Sequence, residues 1–423
     1  MDAPAHPLSI ADFRYYWVGR LAATLAQSAM MLIIGWQVYN IARDGGMSMS
    51  AAAAQLGLIG LIQFVPLFLL TPITGWVADR LDRRHIARAT LALQAVGTAV
   101  LAWTTWSGTN SLFILFSVAF LTGIARAFSG PALGALAPNL VPAATLPKAI
   151  ALSSISWQTG MVAGPWLGGY LHDWRPEASY IGAAILFCVA LLCLFLIGPV
   201  PRPAVERNRH PIRQMVDGLS YVRTNRLVLA AITLDLFAVF LAGATALLPV
   251  YARDILKVDT EGLALLAAAP ALGATLTAVF FSLRPLKTNV GMKMLGAVIV
   301  FGIATIVFGL STWMPLSLAA LFVVGSADMF SVFVRQTLIQ LYTPDPMRGR
   351  VGAVSQLTIS ASNELGEAES GFLAALVGPV TAVVAGGAAA IAVTLLWAKW
   401  FPELRLARSF DPPNIDGETK PRE

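Results

Sequence analysis

Apolar runs of about twenty residues, each closed by a short polar break, recur along the whole chain, and one bilayer crossing takes roughly that many helical residues. The runs fall near 18–40, 53–77, 86–106, 111–136, 147–171, 178–198, 227–251, 262–283, 290–311, 315–341, 351–376 and 379–401. This repetition leaves no stretch for a separate soluble catalytic domain. Composition agrees: charged residues make up 12% of the chain, whereas soluble domains carry about a quarter. The 35 glycines and 25 prolines suit helices in lipid, which tolerate both better than soluble helices do.

The breaks alternate in charge. One set holds Arg80, Arg83, Arg84, Arg88, Lys148, Arg202, Arg207, Arg209, Arg213, Arg223, Arg226, Arg284, Lys287, Lys293, Arg348 and Arg350; the other holds only Arg43, Arg175, Arg253 and Lys257. Lys and Arg resist translocation, so the asymmetry predicts a multi-pass protein of the bacterial inner membrane with both termini in the cytoplasm. The first apolar run reads as a span and not as a cleaved signal. The formal charge of +6 is then topological, and a nucleic-acid partner is excluded. Membrane lipid is the partner implied, with a monomer as the working unit.

The longest break, 199–226, is rich in Pro and Arg and divides the spans six and six. The expected organisation is an N-terminal six-helix bundle over 1–198, a cytoplasmic linker over 199–226, a C-terminal six-helix bundle over 227–407 and a disordered tail over 408–423. The fold class is therefore an all-α membrane protein of twelve transmembrane helices in two six-helix bundles, arranged for alternating access around a central cavity. Residues Ile212–Arg226 form a candidate surface helix, with Met215, Val216, Leu219 and Val222 facing lipid. Cys188 and Cys193 lie five residues apart in one run, face different ways and do not suggest a disulfide.

Between the second and third runs stands Gly75-Trp-Val-Ala-Asp79-Arg80-Leu-Asp82-Arg83-Arg84. A carboxylate at a helix end followed by clustered arginines can latch neighbouring helices by charge-assisted bonds. The segment resembles the loop Gly-x-x-x-Asp-Arg-x-Gly-Arg-Arg of the major facilitator superfamily, with Asp82 in place of the second Gly. The resemblance implies an inner gate built from Gly75, Asp79, Arg80, Arg83 and Arg84, with Asp79 reaching the start of the eleventh span near Gly349 and Arg350. The fifth run, Gly160-Met-Val-Ala-Gly164-Pro165-Trp-Leu-Gly168-Gly169, offers a smooth face for close helix approach and a proline that bends the helix. It resembles the element marking the exporter branches of that superfamily. Phe13-Arg14-Tyr-Tyr-Trp17, Thr343–Val351, Ser362–Gly366 and Ser370-Gly371 are similar to the bacterial efflux branch that includes the enterobactin exporter.

Ionisable groups inside a span are costly and ask for a reason. Arg126, Asp235, Asp328, Arg335, Glu364, Glu367 and Glu369 qualify. Arg126 resembles the fourth-span arginine of superfamily antiporters. A carboxyl in an apolar cavity takes a proton more readily, and a nearby arginine reverses that. Glu364 is the first candidate proton carrier, Glu367 and Asp328 follow, and Arg126 and Asp235 complete the coupling set. Asp328 and Arg335 share a face seven residues apart and read equally as a structural pair. Gln27, Gln37, Asn40, Gln63 and Gln158, with Trp36, Trp157 and Phe240, are candidate cavity residues.

No phosphate-binding Gly-x4-Gly-Lys-Ser/Thr loop occurs. His6, His85, His172 and His210 are scattered without ligand spacing, and there is no serine nucleophile elbow. The expectation is a proton-driven exporter of a small organic substrate, without cofactor or metal and not an enzyme. Uptake or lipid flipping on the same scaffold is the alternative.

Overall fold

The computed structural model describes residues 6–199, 211–284, 286 and 288–410. Its helices are α1 (Ala11–Asp44), α2 (Met49–Arg80), α3 (Arg83–Trp106), α4 (Leu112–Leu136), α5 (Leu146–Trp174), α6 (Pro176–Leu196), α7 (Pro211–Thr224) and α8 (Arg226–Leu241). They continue with α9 (Leu248–Val250), α10 (Thr260–Leu283), α11 (Val290–Leu310), α12 (Met314–Leu341), α13 (Asp345–Val377), α14 (Pro379–Trp400) and α15 (Pro402–Leu406). No strand occurs among the described residues.

Local chemistry sets the helix ends. Ser48, Asp82, Ser111, Asn225 and Asp259 each accept a backbone N–H from the first turn of α2, α3, α4, α8 and α10, satisfying groups that lipid cannot. Proline occupies the first turn of α5, α6, α12, α13 and α14, where it forfeits no helical bond. Gly378 breaks α13 from α14 at φ +88, a backbone that side chains rarely adopt.

Ten described helices are long and apolar enough to cross a membrane. The remaining two spans are α5, rich in Ser and Gly, and α13, which carries Glu364, Glu367 and Glu369. The chain is thus an all-α, multi-pass membrane protein of twelve spans. The seventh span is less regular than its apolar run suggests. Helix α8 ends at Leu241, and a 3-10 turn (Ala244–Leu247), α9 and a π turn (Tyr251–Ile255) complete it.

Loops α2–α3 and α12–α13, with the start of α1 and with α15, lie on one side, the arginine-rich face. Loops α1–α2, α9–α10 and α13–α14 lie on the opposite face. One buried core joins the first six spans to Leu247, Tyr251, Leu263, Phe308 and Ala374 of the later ones, all near the opposite face. A second core, around Leu234, Met294, Val334 and Trp397, stays within the later spans. Helix α7 corrects one expectation. Val216 and Leu219 are exposed, but Val222 is buried with Val228, Ile339 and Val351, and Met215 packs on that cluster. The reason is close approach: a Cβ on Gly218 would sit 2.7 Å from the Arg350 carbonyl oxygen, so α7 lies on α13 and turns Val222 inward.

Candidate functional site

The seam between the first six spans and the last six is tight on the opposite-face half. A Cβ added to Gly57 of α2 would sit 2.8 Å from the Ala368 carbonyl oxygen, and one on Gly60 would sit 2.8 Å from that of Glu364. Gly169 of α5 meets the Thr260 oxygen of α10 at 2.7 Å by the same measure. On the arginine-rich half, Cβ atoms on Gly130, Gly134, Gly349 and Gly352 would meet nothing within 4 Å. Ala151 and Ser154 of α5 and Ala353 and Gln356 of α13 are exposed there. The seam is sealed at one face and open toward the other.

A charged cluster spans the seam near the middle of the helices. Arg126 Nη1 of α4 lies 2.6 Å from Glu364 Oε1 of α13, and the same nitrogen donates to Gln63 Oε1 of α2 at 3.1 Å. Gln63 and Glu364 are buried. Glu367 follows one turn along α13 and is half-buried, and a Cβ on Gly60 would approach its Cβ to 2.9 Å. Glu364 bridges to that guanidinium, with Glu367 one turn away on the same helix. Losing either partner would leave a charge without its counterion in a partly buried site, the Glu364 side chain being 4% and that of Arg126 34% accessible.

The other deep pair differs from the sequence reading. Arg335 bridges to Asp235 of α8 and not to Asp328, and both partners are buried within the second bundle. Residues seven apart on a helix share a face but lie about 10 Å apart along the axis, so the closer neighbour on α8 wins. Asp328 is half-buried and makes no hydrogen bond or ion pair among the described residues. Glu369 accepts from Ser370 Oγ at 3.4 Å.

In the arginine loop, Asp82 takes φ −65, so the position does not need a left-handed residue. Its carboxylate caps Arg84 N at 2.9 Å and bridges the Arg84 side chain at 2.7 Å. The Arg84 guanidinium, helped by that backbone bond, holds the Asp82 carboxyl down at about 2. Arg84 also donates to the carbonyls of Ile197 and Gly198, tying the loop to the end of α6. Gly75 and Asp79 end α2, and their surroundings lie outside the described residues. Arg80 and Arg83 flank the loop. Arg350 lies 3.3 Å from Asp217 of α7.

Helix α5 runs unbroken through the buried Pro165. Cβ atoms on Gly160, Gly164 and Gly168 would meet Thr24 at 2.6 Å, Ser28 at 2.7 Å and Ala29 at 3.0 Å of α1. Gly169 turns the other way, to α10. The motif therefore packs α1 on one side and crosses the seam on the other.

A network at the opposite face was not singled out in the sequence. Tyr39 donates to Asp254, and Arg43 Nη2 lies 3.1 Å from Asp254 Oδ1. Arg253 donates to Asn40 Oδ1 at 2.6 Å and to Asp44 Oδ1 at 2.7 Å, and Glu261 N donates to Asp173 at 3.0 Å. The available signal was the presence of Arg43 and Arg253 among loops nearly free of cations. Asn40 therefore belongs to this closure and not to the cavity. Gln37 is tied to Tyr180, Asn110 and Thr105 within the first bundle, and Trp36 packs on the core. Gln27, Gln158 and Phe240 are half-buried and Trp157 is exposed. No group of His, Cys, Asp and Glu able to hold a metal occurs among the described residues.

The Major Facilitator Superfamily model matches residues 16–367. The enterobactin exporter EntS of Citrobacter koseri is 26% identical over 373 residues, covering 87% of this chain and 88% of that protein. EntS of Escherichia coli is 25% identical over 371 residues, with the same coverage. A bacterial homologue of the human lysosomal transporter Spinster, solved inward-facing and occupied, superposes with a TM-score of 0.72 at 16% identity, covering 92% of this chain and 97% of that one. The POT family transporter PepTSo gives 0.73 at 13% identity, covering 95% of this chain and 99% of that one.

Proposed function

The chain belongs to the Major Facilitator Superfamily, and on that premise we propose that it exports small organic molecules, drug-like or siderophore-like, across the bacterial inner membrane by proton antiport. The observation that carries this reading is the Arg126–Glu364 bridge across the seam, at the blind end of an opening toward the arginine-rich face. That face is the cytoplasmic one, with both termini, because its loops hold most of the Lys and Arg. The conformation is then inward-facing, and the working unit is a monomer. Residues 1–198 and 227–407 rock as two bodies joined by 199–226, and the substrate enters between them.

Glu364 is charged while it faces Arg126. Rocking pulls α4 from α13 and separates the pair, and the carboxyl then takes a proton from the far side to avoid an unpaired charge. Return to the bridged state expels that proton into the cytoplasm. Glu367, one turn along α13 from the bridge, relays the proton between Glu364 and the cavity. The Asp235–Arg335 pair, buried inside one bundle, keeps both charges throughout and acts as a fixed brace. The loop at Asp79–Arg84 latches the cytoplasmic face once it closes. Export is supported by the α5 element that joins the α1 contact to the seam, and by the enterobactin exporters among the relatives.

Substrate-panel transport in inverted vesicles, with the proton gradient intact or collapsed, tests the reading. Accumulation of one compound class only with the gradient is the expected result. Glu364→Gln, at normal expression and fold, lowers that uptake at least about tenfold, since breaking a buried pair costs roughly 3–5 kcal/mol. Unchanged uptake with unchanged gradient dependence would remove Glu364 from the mechanism.

A further inference from the structure

Asp328 and Glu367 are the half-buried acids of the second bundle without a hydrogen bond or ion pair among the described residues. Glu367 sits one turn from the Arg126–Glu364 bridge, whereas Asp328 sits beside no free cation. Asp235 has Arg335 and Glu364 has Arg126, while Glu369 accepts from Ser370. Asp328 has no hydrogen bond or ion pair among the described residues, and its oxygens are not sealed from solvent. Arg335 lies seven residues on, near the same face, but its guanidinium is committed to Asp235. Arg20, on α1 of the first bundle, donates to Tyr16 at 2.6 Å.

The other faces of α12 are occupied. Phe322 and Ser326 lie against Gly273 of α10, and Phe330 and Phe333 stack on Phe281. Val324, Ala327 and Val334 pack with Met294, Leu295 and Val298 of α11. Arg335, seven residues on and near the same face, bridges to Asp235 of α8, so the face left to Asp328 is the α8 side. Val332, one turn on, and the adjacent Met329 are half-buried and apolar.

A carboxylate at mid-membrane depth without a countercharge costs several kcal/mol unless water or a cation reaches it. Here the carboxyl oxygens keep some contact with solvent, and a bound cation does better because it replaces the missing guanidinium. We propose that Asp328 is the recognition residue for a cationic centre on the transported molecule. The substrate class is then an organic cation, a protonated amine or an onium group, carried on an apolar body that suits Met329 and Val332. This rests on the transporter reading and narrows it. It also takes Asp328 out of the proton-carrying set.

The test uses radiolabelled tetraphenylphosphonium, a permanent cation with an apolar body, and uncharged tetraphenylmethane-sized aryl probes with the full-length protein. Equilibrium binding in nanodiscs shows saturable, wild-type binding of the cation. Asp328→Asn weakens it about tenfold or more, as expected when one member of a desolvated charge pair is removed, and Asp328→Glu stays within about threefold. In inverted vesicles, Asp328→Asn loses gradient-driven uptake of the cation and retains that of any neutral substrate. If the wild type moves neutral compounds with the gradient but neither binds nor moves the cation, the inference falls and the exporter reading stands. If Asp328→Asn abolishes gradient dependence for neutral and cationic compounds alike, Asp328 belongs to the proton path and the inference is wrong. If the Asn variant fails to fold, Asp328→Glu decides: loss of cation binding in a folded Glu variant also overturns it. If no compound moves in the wild type, it is the exporter reading that fails.

Discussion

Along α5, Gly169 lies against the Thr260 carbonyl of α10, while Ala151, eighteen residues earlier on the same face, is exposed. Eighteen residues are five full turns, so the two positions differ only in depth. Helix α13 repeats the contrast, with Gly371 pressed onto Gly57 and Ala353, again eighteen residues earlier, exposed. The same helices are therefore in backbone contact at one face and apart at the other. Lipid offers no hydrophobic drive to close a helix seam, so van der Waals contact through small residues and polar bonds must do it. The sealed half has both: glycine-to-backbone contacts and the Tyr39–Arg43–Asp254 and Arg253–Asp44 bonds. The open half shows neither across the same helices among the described residues. The contacts of the sealed half add to the buried core that joins the two sets of spans at that face.

The strongest way to break this contrast is Gly57→Leu. Its side chain would enter the Ala368 and Gly371 backbone at 2.8–2.9 Å, and overpacking costs about 1–3 kcal/mol, or roughly five- to a hundred-and-fiftyfold in the closed-to-open ratio. Transport falls accordingly, and thiol labelling at the opposite face rises. Gly130→Ala, placed in open space, leaves both within about twofold, as surface-like changes do; equal damage from both would mean that the two halves do not differ. A smaller effect is expected from Asp254→Asn. Arg43 and Asp254 are partly exposed, with side chains 27% and 15% accessible, so the loss is about 1 kcal/mol. Labelling at the opposite face then increases about three- to fivefold, with little change in total transport.

The twelve spans were legible because apolar runs and polar breaks mark the same boundaries. Helices α5 and α13 were found in spite of their polar content, since flanking breaks still bounded them and α5 keeps Gly-x-x-x-Gly spacing. The candidate acids were legible as costly residues, but their partners were not. Arg335 and Asp328 share a face on one helix, and only packing shows that Asp235, a hundred residues earlier in the chain, is nearer. The same holds for Asp254, which meets Tyr39 and Arg43 from over two hundred positions away. The turn of α7 that buries Val222 depends on Gly218 meeting Arg350, a contact without any local signal.

The central claim is that the Arg126–Glu364 bridge holds the seam shut at one face, so that discharging Glu364 inverts which half is closed. Spin labels on exposed positions of the two bundles test it directly, one pair at Ala51 and Glu261 on the opposite face and one at Leu81 and Asp345 on the arginine-rich face. Double electron–electron resonance in nanodiscs should show Glu364→Gln lengthening the first distance and shortening the second. Acidification should do the same to the wild type and should not move the Gln variant further. Distances unchanged by Glu364→Gln, or both pairs lengthening together, would contradict the account.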